Sequence, residues 1–330
     1  PTASLSDKEV ETLFGIINDL KEKGITILYI SHKMNEIFQM CDRATVLRDG
    51  KYIKTIEMAK TTRDEVIQAM VGRDISLFAK RTMPCQKKGT EPVLRVDGLC
   101  SDLFNQISFD LYAGEILGFF GLVGAGRTEV MRAIFGADPY TKGSVILNGK
   151  EIHCKSPHEA IERGIALISE NRKEEGILPN FDNKDNISLA SLKKYMSGIV
   201  INDNKKKQNA LEKGKQVGLK PNDPAFMTVS LSGGNAQKVI LARWMSTDAT
   251  VMIFDEPTKG IDIGAKADIY LLMEKMAEQG VAIIMVSSEL TEVMGMSDRI
   301  IVMRDGEITG ELAKEEFSEQ NILNYTVEGN

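Results

Sequence analysis

The sequence of 330 residues is poor in most residue types that mark special chemistry or special surroundings. It has three histidines, four cysteines, one tryptophan and nine prolines, and aromatics make up 6% of it. The cysteines (Cys41, Cys85, Cys100 and Cys154) show no paired spacing. That excludes a disulfide framework and reads as reduced thiols in a cytosolic protein. His153-Cys154 has no second pair near it, which argues against a metal site of the zinc type. There is no excess of positive charge: the formal net charge is −6 and the pI about 5.4. A general nucleic-acid binder needs a basic face, so no nucleic-acid partner is expected. No apolar run reaches the roughly 18 residues of a membrane span. A signal-peptide apolar core is also missing, so any membrane role is expected to be peripheral. What remains, 42% hydrophobic and 27% charged, is an ordinary globular composition with room for two domains.

What is present is a repeat. Pro1-Thr2 recurs as Pro257-Thr258, and the offset of 256 holds without a gap. Ser31 falls on Ser287, Glu36 on Glu292, Asp42-Arg43 on Asp298-Arg299, and Arg48-Asp49-Gly50 on Arg304-Asp305-Gly306. There are 14 identities over the first 50 positions. A period this long indicates a duplicated domain rather than a solenoid. The second copy reads Asp255-Glu256-Pro257-Thr258 and the first starts at its proline. The expectation is the tail of one domain followed by a complete second one, with further chain ahead of residue 1 in the natural protein.

Val10, Leu13, Phe14, Ile17 and Leu20 have helical spacing, and Gly24 is a natural stop, so residues 7–24 are predicted to be helical. Ile25 to Ile30 is a continuous apolar run of strand length, as buried parallel strands are. The second copy repeats this with a helix to Gly280 and a strand from Val281 to Val286. Such alternation predicts an α/β sheet. The expected organisation is 1–75 as the C-terminal part of a first domain, 76–91 as a linker with Pro84 and Gly89, and 92–330 as a second domain with a helical tail. Residues 183–222 are polar with helical spacing, and a helical subdomain is expected over about 171–230.

Three segments carry chemistry. Glu115 to Phe120 reads as a buried strand. It runs into Gly121, Gly124, Ala125, Gly126, Arg127, Thr128 and Glu129, and then into a helical pattern through Val130, Met131 and Ile134. The pattern G-x-x-x-x-G-K-[ST] builds a loop whose backbone N–H groups surround phosphate oxygens at a helix N-terminus. Here Arg127 stands at the lysine position, and Thr128 is placed to give its hydroxyl to Mg2+. Read without its context, the same stretch is a structural turn. The second segment, Val251 to Phe254, is a buried strand from whose C-terminal end Asp255 and Glu256 emerge, where ligands sit in open α/β sheets. Asp255 can orient a Mg2+ shell and Glu256 can polarise an attacking water; the alternative is a strand ending in solvated acids. The third is Leu231-Ser232-Gly233-Gly234-Asn235-Ala236-Gln237-Lys238, which reads either as phosphate-facing donors or as a helix N-cap. The DEPT segment begins 24 residues after Leu231.

In this order and spacing the segments resemble the ATP-binding cassette family over nearly the whole chain. The resemblance implies a P-loop NTPase cassette with a helical subdomain, preceded by the C-terminal part of a first cassette, with ATP and Mg2+ as ligands. It makes Gly121–Thr128 the Walker A loop, Leu231–Lys238 the signature and Val251–Glu256 Walker B. It also puts a Q-loop near Glu170, as a further group beside the metal, and a switch-histidine position at Ser288. The strings GLVGAGRTE, ISENRK, LSGGNAQK and DEPTKGIDIGAK look like the ATPase of bacterial monosaccharide importers of the ribose/galactose type. TLFGIINDLKEKG, YISHKMNEIFQMCD and TVLRDG look like the galactoside/methyl-galactoside members. The partners so implied are membrane permease subunits, the missing N-terminal cassette half and, indirectly, a periplasmic or lipid-anchored sugar-binding protein. The implied location is the cytoplasmic face of the cell membrane. Pro179, Phe181 and the helices after them are implied to face the membrane partner, and Phe104 is the candidate for stacking on adenine.

The second cassette departs from the family pattern at three positions: Arg127 for Lys, Glu170 for Gln and Ser288 for His. A planar guanidinium is no equivalent of a compact ammonium at a crowded phosphate site. The first copy keeps His32 after Ser31. In this family each nucleotide lies between the Walker motifs of one cassette and the signature of another. The expectation is that a site using His32, completed by Ser232, Gly233 and Gly234, hydrolyses ATP. The site built on Arg127, with Glu256 retained, is expected mainly to bind nucleotide. Two alternatives are a soluble, non-transport cassette ATPase and a mainly regulatory nucleotide-binding module.

Overall fold

A computed structural model describes residues 7–31, 34–48, 51–71, 81 and 91–327. His32, Cys85 and all of the 76–91 stretch except Arg81 and Glu91 lie outside the described residues. The chain divides into two compact units, one of residues 1–77 with 260–266 and one of residues 78–259 with 267–330.

In the first unit, helix α1 (Asp7–Glu22) buries Phe14 and Ile17 against Met40, with Val10, Leu13, Ile27 and Tyr29 around them. Gly24 ends it at φ +78°, and Ile25 N donates back to Leu20 O at 3.1 Å, the left-handed stop that glycine permits. Helix α2 (Met34–Met40), the antiparallel strands β1 (Arg43–Arg48) and β2 (Lys51–Glu57), and helix α3 (Arg63–Val71) follow. Met34, Ile37, Met58 and Val66 form their common core.

The predicted strand at Ile25–Ile30 is absent: these residues take no strand conformation, and Leu28 is 90% exposed. An apolar run makes a buried strand only between neighbours that accept its backbone hydrogen bonds. Among the described residues no strand pairs with Ile25–Ile30.

The second unit opens with β3 (Leu94–Cys100), β4 (Ile107–Leu111) and β5 (Ile116–Phe120), then α4 (Arg127–Ile134), β6 (Lys142–Leu147), β7 (Lys150–Ile152), α5 (Pro157–Arg163) and β8 (Ile165–Ile168). A predominantly helical stretch follows: α6 (Asn183–Ser188), the short hairpin β9 (Met196–Ser197) and β10 (Val200–Ile201), α7 (Asp203–Gln216) and α8 (Gly233–Trp244). The chain then runs through β11 (Val251–Asp255), α9 (Ile263–Glu278), β12 (Ala282–Val286), α10 (Leu290–Met296), β13 (Arg299–Arg304), β14 (Glu307–Ala313) and α11 (Glu319–Asn324).

Six strands form one sheet in the order β14-β13-β5-β12-β11-β8, parallel except for the edge strand β14. β5, β8, β11 and β12 are buried at every position, as continuous apolar runs in a parallel sheet must be. A second sheet, β4-β3-β6-β7, is antiparallel. The helical stretch is tied together by polar groups. Asn186 donates to Leu178 O, Phe181 O and Thr228, and Arg243 Nε donates to Asn186 O at 2.7 Å. The β9–β10 hairpin is the one strand pair inside the region read as helical; it turns at Gly198, φ +62°.

The repeat is reproduced element by element. α1, α2, β1 and β2 of the first copy begin and end at the residues that, moved by 256, begin and end α9, α10, β13 and β14. Even the bulge between Val46 and Leu47 recurs between Val302 and Met303.

One residue of the sequence-assigned linker is no solvated spacer. Arg81 is buried in the second unit, where its Nε donates to Asp298 at 2.7 Å and its Nη2 to Gly114 O at 2.6 Å. Arginine in a stretch of mixed charge carries no sign of burial until the partner carboxylate is known.

Candidate functional site

β5 ends at Phe120 and α4 begins at Arg127, so the Gly121–Thr128 loop leaves the C-terminal edge of a central parallel strand. A side chain at Gly121 would collide with the carbonyl oxygen of Met303. Gly124 and Gly126 hold φ of +85° and +88°, a backbone that other residues resist, and a Cβ at Gly124 would meet nothing. The loop is therefore tight at Gly121 and open at Gly124. Ala125 is buried and its N donates to Leu122 O at 3.0 Å. A cavity of ≈ 270 Å3 is lined by residues 123–129 with Glu170, Glu256, Lys259 and Ser288. A second, of ≈ 280 Å3, has Thr128, Glu170 and Asp255 in its wall, together with Arg132 and Glu175.

β11 delivers Asp255 and Glu256 to these cavities. The Thr128 hydroxyl shares a cavity wall with the Asp255 carboxylate. Asp255 Oδ1 is nevertheless buried without a partner. Burial pushes the Asp255 pKa up to about 7, Thr128 and Arg127 counteract it, and the negative charges of Glu256 and Glu170 add to it. A buried carboxylate oxygen with no donor, beside a threonine hydroxyl, fits a hard divalent cation such as Mg2+. Glu170 is held by Lys259 in an ion pair instead. Among the described residues no cluster of three or more His, Cys, Asp or Glu forms a ready metal cage.

Glu256 sits at φ +48°, a left-handed conformation uncommon outside glycine. Its N donates to Val286 O at 2.9 Å, and Ser288 Oγ donates to its Oε2 at 3.2 Å. Burial raises its pKa, against the hydrogen bonds from Ser288 and the charges of Arg127 and Lys259. Arg127 is itself buried. Its Nη1 donates to Ser287 O at 2.9 Å and lies 3.9 Å from Glu256 Oε1. The guanidinium is thus committed to Ser287 O and Glu256.

The structure brings Gly124, Ala125, Gly126, Arg127, Thr128, Glu129, Glu170 and Glu256 around one cavity and Asp255 into the adjoining one. Ser232, Gly233 and Gly234 line neither. Ser232 caps α8 by accepting from Asn235 N at 3.5 Å, and Gly233 O accepts from Arg172 Nη1 at 3.1 Å. Phe104 is 4% exposed, packed into the interior, and offers no face for a base; its neighbour Leu103 is exposed. Of the segment after Asn171, Pro179 and Phe181 are exposed.

Two groups of residues carry the site that the sequence reading gave no role. Arg172 bridges the carbonyls of Gly233 and Lys259, the latter at 2.6 Å. Behind Glu256, Thr258 and Ser287 both donate to the buried carboxylate of Glu292, at 2.7 and 3.0 Å. The identity of Ser31/Glu36 with Ser287/Glu292 was the available signal for this second group.

These features define an ATP-binding cassette fold, and residues 104–259 match the ABC transporter family model. The chain belongs to the ABC transporter family. It is 45% identical to the "Ribose import ATP-binding protein RbsA" of Oceanobacillus iheyensis, over 100% of this chain and 66% of that protein. It is 46% identical to a "Putative ribose/galactose/methyl galactoside import ATP-binding protein 1" of Rhizobium etli, over 100% of this chain and 62% of that one. The chain thus spans just under two thirds of the length of these curated relatives. Among solved structures, a dimeric post-hydrolysis state of the ATP-binding cassette MJ0796 bound to ADP and Pi superposes with a TM-score of 0.59 at 21% identity, covering 68% of this chain and 100% of that one. No helix of the described residues is long and apolar enough to cross a membrane.

Proposed function

We propose that this chain is part of the ATP-binding, ATP-hydrolysing energy-coupling subunit of a monosaccharide importer, of the ribose or galactose/methyl-galactoside kind. One observation carries the nucleotide part of this reading: the donor-free Oδ1 of Asp255, buried beside the Thr128 hydroxyl at the foot of a glycine loop that opens into a cavity. The loop N–H groups bind phosphate oxygens, and Thr128 and Asp255 hold Mg2+. When bound, that cation neutralises phosphate charge. Glu256 orients water, and Ser288 keeps its carboxylate pointed into the cavity. The identity to import ATP-binding proteins supports the sugar-import part.

On this reading residues 1–75 are the C-terminal part of a first cassette, and residues 76–91 the link to the second. His32 marks the site that carries most of the turnover. The Arg127 site binds nucleotide and turns it over slowly, because its cation is tied to Ser287 O and Glu256. Pro179, Phe181 and the helical stretch dock on permease subunits at the cytoplasmic face of the membrane, with an external sugar-binding protein as indirect partner.

Turnover by a protein in which a first cassette of the relatives' length precedes this chain tests the division of labour. His32→Ala is expected to abolish most ATPase activity and Glu256→Gln to leave most of it; the reverse result overturns the assignment. Purification of the same protein from native membranes tests the importer reading. A multi-span permease should accompany it, and recovery from the soluble fraction with no such partner would favour a non-transport cassette ATPase.

A further inference from the structure

The phosphate cavity is lined by two cations that differ in freedom. Arg127 is buried, and its guanidinium is committed to Ser287 O and to Glu256. Lys259 lines the same cavity as the loop. Its backbone is held from both sides, its N donating to Glu256 O at 3.2 Å and its O accepting from Arg172 at 2.6 Å. Its side chain, in contrast, is 61% exposed and ends in an ion pair with Glu170. An exposed ion pair of this kind is weak and easily exchanged. A fixed backbone with an exchangeable ammonium is the arrangement of a residue that can trade one anion for another. Glu170 is moreover the carboxylate that stands where the family pattern has a neutral glutamine.

We propose that Lys259 is a phosphate-binding residue of this site, which takes the terminal phosphate of a nucleoside triphosphate, and that Glu170 holds its ammonium when no nucleotide is bound. This rests on the nucleotide reading given above. A lysine ammonium is the compact point charge that Arg127, committed to Ser287 O and Glu256, cannot supply. Nucleotide entry then exchanges the Glu170 carboxylate for a phosphate oxygen on Lys259. The pair sets a preference for the triphosphate, whose outermost phosphate reaches furthest from the loop towards Lys259.

The test is calorimetric titration of the chain with ATP and with ADP, in EDTA and in Mg2+, for the wild type, Lys259→Ala, Lys259→Arg and Glu170→Gln. Lys259→Ala is expected to weaken ATP binding in EDTA by about tenfold or more, as loss of one charge-assisted contact does, and ADP binding by less than about threefold. Lys259→Arg should restore part of the loss. Glu170→Gln, which frees the ammonium, should tighten ATP binding. Equal losses for ATP and ADP, or no loss for either, would overturn the proposal. A wild-type chain that binds neither nucleotide would overturn the nucleotide reading itself, which is a separate result. Thermal melting of each variant separates a binding defect from a folding defect, and Glu170→Gln tests the exchange even where Lys259→Ala fails to fold.

Discussion

Residues 25–48 and 281–304 are one stretch of chain present twice, and the same residues behave differently in the two places. Asp298 is buried, accepts from Ile116 N at 2.9 Å and is paired with Arg81. Its counterpart Asp42 is 83% exposed in its side chain and meets Lys21 at 3.1 Å. Ile284 is fully buried between β5 and β11, whereas Leu28 faces solvent. What survives unchanged is local. Ser31 Oγ donates to Glu36 at 2.9 Å as Ser287 Oγ does to Glu292 at 3.0 Å. A phenol also reaches the carboxylate in both copies, from different directions. Tyr270 supplies it to Glu292, while in the first copy that position is Phe14 and Tyr29 donates to Glu36 at 2.7 Å. Helix bounds, hairpin and bulge follow from short-range sequence, and burial follows from which strands lie alongside.

The contrast can be broken most sharply at the strand positions. Ile284→Asp places a charge in the sheet interior and is expected to cost more than about 4 kcal/mol, enough to unfold the second unit. Leu28→Asp should change stability by less than about 0.5 kcal/mol. Urea denaturation of the two variants compares them directly, and a large cost at Leu28 would mean that this face is covered in solution.

Asp298→Ala comes next. It leaves Arg81 buried without its partner, at an expected cost of about 3–5 kcal/mol; Asp42→Ala should lie within the range of exposed pairs, under about 1 kcal/mol. Similar costs for both would erase the distinction.

A third comparison uses pH. Burial raises the pKa of Asp255 from 3.8 in the unfolded reference to about 7. An acid raised in this way binds more protons folded than unfolded, so stability falls as pH rises through the window from about 4 to about 7. The penalty is complete above that window and absent below it. Asp255→Asn should therefore be more stable than the wild type at pH 8, by up to about 4 kcal/mol, and equal to it near pH 4. Mg2+ should recover stability at pH 8 in the wild type and do little for the variant.

The smallest effect is expected from the phenols. Tyr270→Phe and Tyr29→Phe should each cost about 1 kcal/mol, the worth of one hydrogen bond. A near-zero effect for either would mean that the neighbouring hydroxyl groups satisfy the carboxylate without the phenol.

The cassette was legible in the sequence because its signals are local. Continuous apolar runs became β5 and β11, glycines at fixed spacing became the loop, and Ser232 became the cap of α8. Three things were not legible, for one reason. Whether Ile25–Ile30 pairs, whether Arg81 is buried and which side chain crosses the cavity all depend on residues distant in the chain. Lys259 and Glu170 are 89 positions apart, Arg81 and Asp298 are 217 apart, and neither pair has a spacing that a pattern could register. Phe104 was misread for the same reason, since its hydrophobicity does not say on which side of the backbone the cavity lies.

Arg172 has a mechanical consequence. Its guanidinium is planar and rigid, and two of its nitrogens hold the Gly233 and Lys259 carbonyls at once. It acts as a tie-rod between the first turn of α8 and the backbone that carries Lys259. If the start of α8 shifts by an ångström, either the Lys259 backbone follows or one of the two bonds breaks. Displacement of the helical stretch is thereby converted into a displacement at the wall of the cavity that Lys259 lines.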